Sequence, residues 1–422
     1  MSAKSRAARD EVQVVLDADV VPEACPVGTL YHASGRGGGV FSFEYDDAWL
    51  RRPDAFEIDP GLQLVGGETY PANTAGVFRI FLDSAPDRWG RVLLERREAM
   101  RARAENRAAR TLGEWDFLLG VHDTARMGAL RFRATADGPF LDNDEHHAAP
   151  PLATLRELEA AALSLENPDA EDSPQYRAWL TALLAPGSSL GGHRPKANFT
   201  DTDGSLWIAK FQSRQDRRDV GALEMLVHQL AAEAGIDVPA ARVFKLGSEY
   251  RTFACQRFDR AGARRRFFVS AMTLLQREDG SGGSYLELAD YVQTRGSADH
   301  IAADLGQLWT RVVFNVLVRN TDDHLRNHGF IYSGDGWRLA PSYDVNVNPG
   351  ATQHALAIDG RDHTGDVQLA LDTAGFYGLD AAAANEILAR VRSVLATWRE
   401  KARRLALSRG DIALIEPVLD AS

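Results

Sequence analysis

A long apolar helix pattern that ends abruptly in a polar loop most strongly constrains how this chain folds. The stretch HIAADLGQLWTRVVFNVLVR repeats apolar residues at helical spacing, which is typical of a buried core helix. The next segment, NTDDHLRN, contains two aspartates, one histidine and two asparagines. A β-hairpin pattern follows, in which GFIY and WRL flank the turn SGDG, and the chain then reaches Asp344. The sequence therefore predicts a core helix, a polar loop and a hairpin, in that order.

The spacing of the polar side chains in this region indicates phosphoryl-transfer chemistry. Asp322 and Asn327 are five residues apart, as in the HRDxxxxN loop of protein kinases. In that loop the aspartate accepts the hydroxyl proton and the asparagine binds magnesium. Asp344 follows the hairpin, where a kinase has its second metal-binding carboxylate. We therefore predict Asp322 as the catalytic base, and Asn327 and Asp344 as magnesium ligands.

Other interpretations of the same loop have to be considered. Asp323 could replace Asp322 as the working acid, although its offset to Asn327 is one residue too short. His324 and His328 have the spacing of two zinc ligands, but there is no HExxH motif and nothing identifies a third ligand. We expect His324 to brace the loop by hydrogen bonding. A purely structural polar turn is a further alternative.

A lysine on a predicted strand is the candidate for binding ATP phosphates. The loop GSSLGGHRPKANF leads into a strand, a turn and a second strand, SLWIAKF. The strand period of two puts Lys210 on one face with Leu206 and Ile208, where an unpaired ammonium is costly. An ordinary lysine whose charged end reaches solvent is the alternative. A small-residue loop, a strand pair and an inward lysine together resemble the upper lobe of a kinase.

The predicted helix DVGALEMLVHQLAAEAG follows this strand pair. Asp219 is its expected N-cap and Gly235 its expected C-terminal residue. Glu224 lies beside the apolar stripe and could orient Lys210, although a surface glutamate is an equally good interpretation. Two predicted strands, ARVFKL and RTFACQRF, come next, and then RFDR, which has the position of a hinge between two lobes.

The N-terminal part of the chain is strand-like and then helical. EVQVVL, GTLYHA, GVFSFEY and GVFRIFL predict strands, separated by glycine-rich turns. The region 86–110 predicts a helix with eight arginines, which we interpret as a solvated helix with many charge pairs. Two further helices are predicted by LATLRELEAAALSLE and SPQYRAWLTALLA.

Charge and composition limit the classes of function. The 422-residue chain has a net charge of −11 and a pI near 5.5, so direct DNA binding is not expected, because DNA phosphates require a basic surface. Only Cys25 and Cys255 are present, which leaves no disulfide framework. The sequence shows no signal-peptide core and no apolar stretch of membrane-spanning length. We therefore expect a cytoplasmic protein with no membrane association.

Several motifs together resemble those of one known family. SSLGGHRPKA, WIAKF, QRFDR, NTDDHLRNHGFI and PSYDV look like the signatures of HipA-type serine/threonine kinases, the toxins of HipBA toxin–antitoxin pairs. VGTL, WLRRP and DSAPDRWGR are similar to the β-rich N-terminal region of that family. The resemblance extends over nearly the whole chain.

The resemblance implies an α+β, two-lobed fold related to protein kinases and phosphatidylinositol kinases, which binds ATP and Mg²⁺. The implied domains are a β-rich subdomain (1–145), an N-lobe with the phosphate loop (150–260) and a helical C-lobe (261–422). By motif, Asp322 is the catalytic base, Asn327 and Asp344 bind the metal, and Lys210 is the ATP-phosphate lysine.

Further site residues are implied by the resemblance. Ser189 falls on the loop serine whose autophosphorylation switches such kinases off, with Ser188 as the adjacent alternative. Gln256 stands where the hinge often carries glutamate. The remaining residues expected at the nucleotide site are Gly191, Gly192, Glu224, Phe258 and His324.

The resemblance also implies partners. Known members phosphorylate an aminoacyl-tRNA synthetase and are restrained by a small helix-turn-helix antitoxin of HipB type, so DNA would be contacted only through that antitoxin. Two other functions remain open: a small-molecule phosphotransferase of the aminoglycoside-kinase type, and a non-catalytic corepressor acting with a DNA-binding antitoxin. The aminoglycoside type usually has a histidine where this chain has Asn320.

Overall fold

A computed structural model describes residues 9–35, 39–143, 149–184 and 194–421. The chain forms two compact units. Unit 1 comprises Met1–Leu206 and Asp259–Val269, and unit 2 comprises Trp207–Phe258 and Ser270–Ser422. Unit 2 thus combines segments from the predicted N-lobe and C-lobe regions, and the three predicted domains stay a prediction.

Strands and helices are numbered here along the chain. The strands are β1 (Asp10–Leu16), β2 (Cys25–Ala33), β3 (Val40–Tyr45), β4 (Leu130–Arg133), β5 (Lys196–Thr200), β6 (Leu206–Lys210), β7 (Ala241–Phe244), β8 (Thr252–Gln256), β9 (Arg260–Ala261), β10 (Arg264–Arg265), β11 (Phe268–Ser270), β12 (Gly329–Tyr332) and β13 (Trp337–Leu339). The helices are α1 (Asp47–Leu50), α2 (Arg79–Asp83), α3 (Arg88–Ala104), α4 (Glu114–Leu119), α5 (Leu155–Leu165), α6 (Tyr176–Leu184), α7 (Val220–Glu233), α8 (Ala271–Leu274), α9 (Tyr285–Arg295), α10 (Ile301–Val318), α11 (Val367–Asp372), α12 (Ala381–Leu395), α13 (Trp398–Arg404) and α14 (Arg409–Leu419).

Unit 1 is built on an antiparallel sheet with the strand order β3-β2-β1-β4. The first three predicted strands are confirmed as β1, β2 and β3. Their apolar side chains form a core in which Phe43, Phe81 and Phe132 pack, with ring centroids about 6 Å apart. The sheet therefore forms because one face of each strand can be covered by apolar residues.

The fourth predicted strand, GVFRIFL, is wrong: its last four residues lie in helix α2. Apolar runs this short do not distinguish a buried strand from a buried helix, and Ile80 and Phe81 are buried here. The backbone N–H of Ile80 donates to the carboxylate of Asp59 at 2.8 Å, which satisfies the start of the helix. That capping group lies 21 residues away in sequence, so a local pattern could not indicate it.

The arginine-rich segment forms α3, and its charges are paired within unit 1. Glu98 accepts hydrogen bonds from Arg107 at 2.5 Å and from the backbone N–H of Arg110 at 2.9 Å. These two contacts lower the pKa of Glu98 to about 2. Arg91 makes a two-point contact with Glu114, at 2.7 Å for each bond. The structure agrees with the interpretation of a solvated helix with many charge pairs.

A buried ion pair joins α3 to β5 in unit 1. The ammonium of Lys196 lies 3.0 Å from Asp87, and both side chains are at most 2% exposed. Asp87 is also the N-cap of α3, because it accepts the backbone N–H of Gly90 at 2.7 Å. The start of β5, the first strand after the glycine–serine loop, is therefore anchored to a helix.

Unit 2 contains the predicted strand, helix and hairpin elements around Lys210 and Asp344. Strands β6, β8 and β7 pair antiparallel, in that order, and α7 begins at the predicted N-cap Asp219, which accepts the N–H of Ala222 at 3.0 Å. Gly235 follows the end of α7 with a positive φ of 86°, as expected for a helix C-terminus. Hairpin β12–β13 is confirmed, although its second strand ends at Leu339, five residues before Asp344.

Helix α10 is the centre of the unit 2 core. It buries Leu308, Trp309, Val312 and Val313 almost completely, which confirms the predicted apolar helix. The stretch Ala298–Val318 is long and apolar enough to cross a membrane, but most of it is buried inside the protein. This segment is therefore a core helix by its surroundings. The helix ends at Arg319 in the left-handed conformation, and the polar loop starts there.

Candidate active site

The candidate site lies in unit 2, and its centre is the ammonium of Lys210. Nζ of Lys210 donates to Oε1 of Glu224 at 2.6 Å and to Oδ1 of Asp344 at 2.7 Å. Strand β6 carries the lysine, α7 carries Glu224, and the segment after the hairpin carries Asp344. Three segments that are distant in sequence thus meet at one cation, and Glu224 is a buried ligand of Lys210 rather than a surface side chain.

Electrostatics keep Lys210 charged. Burial works against the ammonium, but the carboxylates of Asp344 and Glu224 outweigh it and raise the pKa of Lys210 well above its ordinary value. The side chain is only 14% exposed, so this charge is held in a largely desolvated place. On β8, burial raises the pKa of the nearby Cys255 thiol to about 12, which makes it a neutral neighbour.

Asp344 has an unusual backbone conformation. Its φ is +58°, in the left-handed region that is uncommon for residues other than glycine. Oδ1 of Asp344 also accepts a hydrogen bond from the side-chain amide of Asn346 at 3.2 Å. Backbone strain of this kind is concentrated at functional sites, where the surrounding structure maintains it.

The polar loop (residues 320–327) is folded by its own hydrogen bonds. The backbone carbonyl of Asp322 accepts from the N–H of His324 at 3.0 Å and from Nδ2 of Asn327 at 3.0 Å. Because Nδ2 of Asn327 is the donor, its Oδ1 is left as an acceptor, and no described residue donates to it. The carboxylate of Asp322 is exposed, and it too accepts no hydrogen bond from the described part of the chain.

Two contacts connect the polar loop to the segment of Asp344. The hydroxyl of Tyr343 donates to the carbonyl of Arg326 at 2.6 Å. The backbone N–H of Asn346 donates to the side-chain oxygen of Asn320 at 3.4 Å. The residues beside Asp344 therefore contact both ends of the loop, and this brings the segments of Asp322, Asn327 and Asp344 together.

The aspartate next to Asp322 has a different environment. Asp323 is buried, and its Oδ2 accepts hydrogen bonds from Tyr285 (2.5 Å), Asn315 (2.7 Å) and His328 (2.8 Å). Burial alone would raise the pKa of this carboxyl, but His328 and then Tyr285 lower it below its ordinary value. Asp323 is fully engaged inside the protein, so it is not available to a substrate.

The expectation that His324 braces the loop is wrong. Its side chain is exposed and makes no hydrogen bond to any residue that the structure describes, whereas His328 performs the bracing through Asp323. Nε2 of His328 therefore has a protein partner, the carboxylate of Asp323. Among the described residues, no three His, Cys, Asp or Glu side chains are grouped as metal ligands.

The expected hinge residue Gln256 and the expected nucleotide-site residue Phe258 lie on β8 and just after it. Gln256 pairs in register with Trp207 of β6, three residues from Lys210. The ring of Phe258 stacks on the ring of Tyr343, with centroids 5.4 Å apart and an interplanar angle of 26°. Since Tyr343 precedes Asp344, Phe258 lies close to the proposed metal ligand. Ser188, Ser189, Gly191 and Gly192 lie outside the described residues.

Sequence reasoning missed the supporting groups of the site. Asn315 lies within the apolar run VVFNVLV of α10, and a polar residue in such a run signals a buried hydrogen-bond partner. Asn346 follows Asp344 by two residues, and it was not predicted as a hydrogen-bond partner of Asp344. The contact of Asn315 joins α10 to Asp323 in the polar loop, so spacing alone could not assign it, whereas the contact of Asn346 with Asp344 spans only two residues.

Comparisons with known proteins agree in one family. The model of the HipA-like C-terminal domain matches residues 188–398, which is half of the chain, and the model of the HipA N-terminal domain matches residues 18–132. No curated protein matches the sequence.

A solved HipA structure shows the same relationship at the level of the fold. The structure of a Shewanella oneidensis MR-1 complex of HipA, HipB and operator DNA matches with a TM-score of 0.68 and 17% identity, over 97% of this chain and 95% of that chain. A Helicobacter pylori proinflammatory kinase, CtkA, matches with a TM-score of 0.43 and 14% identity, over 55% of this chain and 88% of that one. With both domain models matched and a HipA fold over nearly its full length, the chain belongs to the HipA family.

Proposed function

We propose that the protein is an ATP- and Mg²⁺-dependent serine/threonine-protein kinase. The observation that carries this proposal is the contact of Lys210 with both Glu224 and Asp344, beside a polar loop that leaves the carboxylate of Asp322 exposed. A cation, two carboxylates and an amide oxygen at one place are the groups that phosphoryl transfer requires.

Lys210 is the proposed phosphate ligand. Its raised pKa means that it is protonated throughout the physiological pH range, so it offers a permanent positive charge to the phosphates of ATP. Glu224 holds the ammonium from the α7 side and limits its rotation. Gln256 and Phe258 are proposed to contact the base of the nucleotide. The loop residues Gly191 and Gly192 are proposed to cover the phosphates.

Asn327 and Asp344 fit a magnesium ion. Oδ1 of Asn327 accepts no hydrogen bond from a described residue, and the Asp344 side chain is 37% exposed. A metal ion could therefore bind one neutral and one anionic oxygen. Mg²⁺ prefers a few protein oxygens together with substrate phosphates. When bound, magnesium neutralises phosphate charge and orients the transferring group.

Asp322 is the proposed base. Its carboxylate would orient the serine hydroxyl of a protein substrate and take its proton as the hydroxyl oxygen forms a bond to the γ-phosphorus of ATP. The bond from the γ-phosphorus to the β–γ bridging oxygen breaks, and ADP leaves with that electron pair. The products are a phosphoserine and ADP, and the proton on Asp322 is then released to water.

The biological role proposed here is that of a toxin in a toxin–antitoxin pair. The related Shewanella protein was solved with HipB and operator DNA, and we propose that this chain likewise binds a small helix-turn-helix antitoxin, with DNA contacted through that partner. A net charge of −11 agrees with an indirect contact to DNA. A translation-related protein, such as an aminoacyl-tRNA synthetase, is the proposed cytoplasmic substrate, and Ser189 the proposed autophosphorylation site.

The test is transfer of labelled γ-phosphate by the purified chain. With Mg²⁺, the wild type is expected to label Ser189 or a lysate protein, and the Asp322→Ala variant is expected to label neither. Equal labelling by both forms would contradict the role of Asp322. Label that appears only in small metabolites would favour a small-molecule phosphotransferase. A corepressor would be favoured by two results together: the wild type transfers no phosphate, and the Asp322→Ala variant still represses normally with a helix-turn-helix partner.

A further inference from the structure

A cavity of about 290 Å³ opens beside the polar loop in unit 2. Its floor is apolar and consists of the buried side chains of Met272, Leu325 and Leu356. The charged lining residues Glu278, Asp279 and Arg326, which we call its rim, are exposed. The cavity therefore offers an apolar pocket with charged groups at its entrance.

A glycine-rich segment forms one wall of this cavity. Gly280 and Gly282 have positive φ values of 76° and 74°, and Gly283 has a φ of 156°. A Cβ atom at Gly283 would lie only 3.0 Å from Cδ1 of Leu325, so a side chain at this position would push into the floor. The glycines thus let the segment approach the polar loop closely.

The cavity adjoins the proposed catalytic base. His324, Leu325 and Arg326 line it, and they follow Asp322 in the same loop. The Cα atoms of Asp322 and His324 are at most about 7.6 Å apart, since consecutive Cα atoms are separated by about 3.8 Å. The proposed phosphate and metal ligands Lys210, Asn327 and Asp344 are not among the residues that line the cavity. The cavity is therefore next to the base but is not formed by the nucleotide ligands.

Size and charge define what the cavity can hold. Its volume is at the lower limit of pockets that enclose small molecules, about 300 Å³, so it suits one or two side chains rather than a nucleotide. Arg326 and Asp279 are 3.6 Å apart, which is too long for a hydrogen bond, so their pairing is weak. With two acids and one arginine, the rim favours a basic group.

We propose that this cavity binds the segment of the protein substrate that carries the acceptor serine. An apolar side chain next to that serine occupies the floor, and a lysine or arginine beyond it contacts Asp279 and Glu278. This inference rests on the proposed kinase function and adds the sequence class of its substrate: a serine flanked by an apolar and then a basic residue.

The first experiment uses serine peptides that differ at one neighbouring position, leucine against glycine. The full chain is assayed with labelled ATP and Mg²⁺, and peptide binding is measured separately by fluorescence anisotropy. Ala355 lines the cavity and is half-buried, and its backbone N–H donates to Thr321 at 2.8 Å, a bond that a side-chain change retains. Ala355→Leu should occupy part of the cavity and lower kcat/KM for the leucine peptide about tenfold, with the KM for ATP unchanged.

The second experiment addresses the rim. The double variant Glu278→Gln/Asp279→Asn should reduce the preference for a lysine-containing peptide over a glutamate-containing one about threefold. High salt screens the charges of the rim, so the difference between this variant and the wild type should disappear there. This variant retains the shapes of both side chains, so it tests the proposal even if Ala355→Leu impairs folding. The control variants are Ala351→Leu and Asp299→Asn, at a half-buried and an exposed position that do not line the cavity.

The outcomes separate the two proposals. If the wild type transfers phosphate without a preference for apolar or basic neighbours, the cavity assignment is overturned and the kinase function stands. An unchanged leucine preference and unchanged peptide binding in Ala355→Leu would also overturn it. If the wild type transfers no phosphate to any protein or peptide, the kinase function fails, and the cavity proposal fails with it.

Discussion

The ammonium of Lys210 lies 2.7 Å from a carboxylate oxygen of Asp344, although 134 residues separate them in sequence. Each charge lowers the cost of desolvating the other, and Glu224 adds a second carboxylate on the same ammonium. The contact joins strand β6 to the segment that follows hairpin β12–β13. A cation and an anion that the proposed reaction needs are thus held at one point by the fold of unit 2.

Replacement of Lys210 should remove phosphoryl transfer without unfolding the protein. Lys210→Met keeps the length of the side chain but deletes the charge, and we expect kcat/KM for ATP to fall about 100-fold or more, the typical loss for a preorganised electrostatic group. The measurement is the rate of label transfer over a range of ATP concentrations.

Lys245→Met is the matched control for that prediction. Lys245 is an exposed lysine of unit 2, next to β7, and its ammonium contacts the backbone carbonyl of Glu249. Transfer should be unchanged in this variant. Equal losses in Lys210→Met and Lys245→Met would show that the effect is general, and not due to the contact with Asp344.

Loss of the Asp344 charge should appear as a higher magnesium requirement. Asp344→Asn keeps a neutral oxygen but removes the negative charge, and we expect the Mg²⁺ concentration for half-maximal transfer to rise at least about tenfold. A titration of transfer rate against Mg²⁺ measures this. Asp290→Asn, at an exposed position on α9, should leave the titration curve unchanged. The assignment fails if both variants titrate alike.

The two neighbouring aspartates should have opposite phenotypes. Asp323→Ala leaves three buried partners (Tyr285, Asn315 and His328) without their acceptor, and we expect the free energy of unfolding to fall by about 3–5 kcal/mol. Asp322→Ala removes an exposed side chain and should change this free energy by less than about 0.5 kcal/mol while transfer is lost. Urea unfolding and label transfer on both variants give the comparison, and a stable Asp323→Ala would be contrary to the structure.

Stability should decline in two stages as the pH falls. Burial lowers the pKa of His354 and of His228, so below about pH 6.5 the unfolded chain binds protons that the folded chain does not, and the free energy of unfolding decreases. The lowered pKa of Asp323 stabilises the fold above about pH 4, and this contribution is lost as the pH falls through the lower pKa of the folded state. Urea unfolding between pH 7.5 and about pH 2 measures both stages.

Histidine variants assign the first stage. His354→Gln combined with His228→Gln should flatten the dependence between pH 7 and pH 5, while His300→Gln, at an exposed position, should not. A first stage of undiminished size in the double variant would mean that other groups cause it.

Most elements of the fold could be predicted from local pattern. Alternation indicated β1 to β3, and helical spacing indicated α3, α7 and α10, because each element buries one apolar face of its own. The prediction was wrong at α2, whose start is capped by Asp59 from a different part of unit 1, and elements such as α9 and α11 to α14 were not predicted. A helix cap from a residue 21 positions away in sequence cannot be predicted from the local pattern.

For the candidate site, too, the sequence indicated some residues and only the structure identified others. Residue types and offsets led to the prediction of Asp322, Asn327, Asp344 and Lys210 as site residues, and in the structure Lys210 contacts Asp344. Local pattern could not show that His328, rather than His324, braces the loop, since the deciding partner, Asp323, is itself held by Tyr285 from α9. Nor did it indicate the cavity, whose walls come from three separate segments.

The sequence alone indicated many of the elements and the side chains that we propose for phosphoryl transfer, because periodicity and spacing are local properties of the chain. The tertiary structure decided which of two adjacent aspartates is exposed, which carboxylates meet Lys210, and where an apolar cavity opens beside the polar loop. The physical reason is that burial, desolvation and hydrogen-bond pairing depend on residues brought together from distant segments, and only folding determines those neighbours.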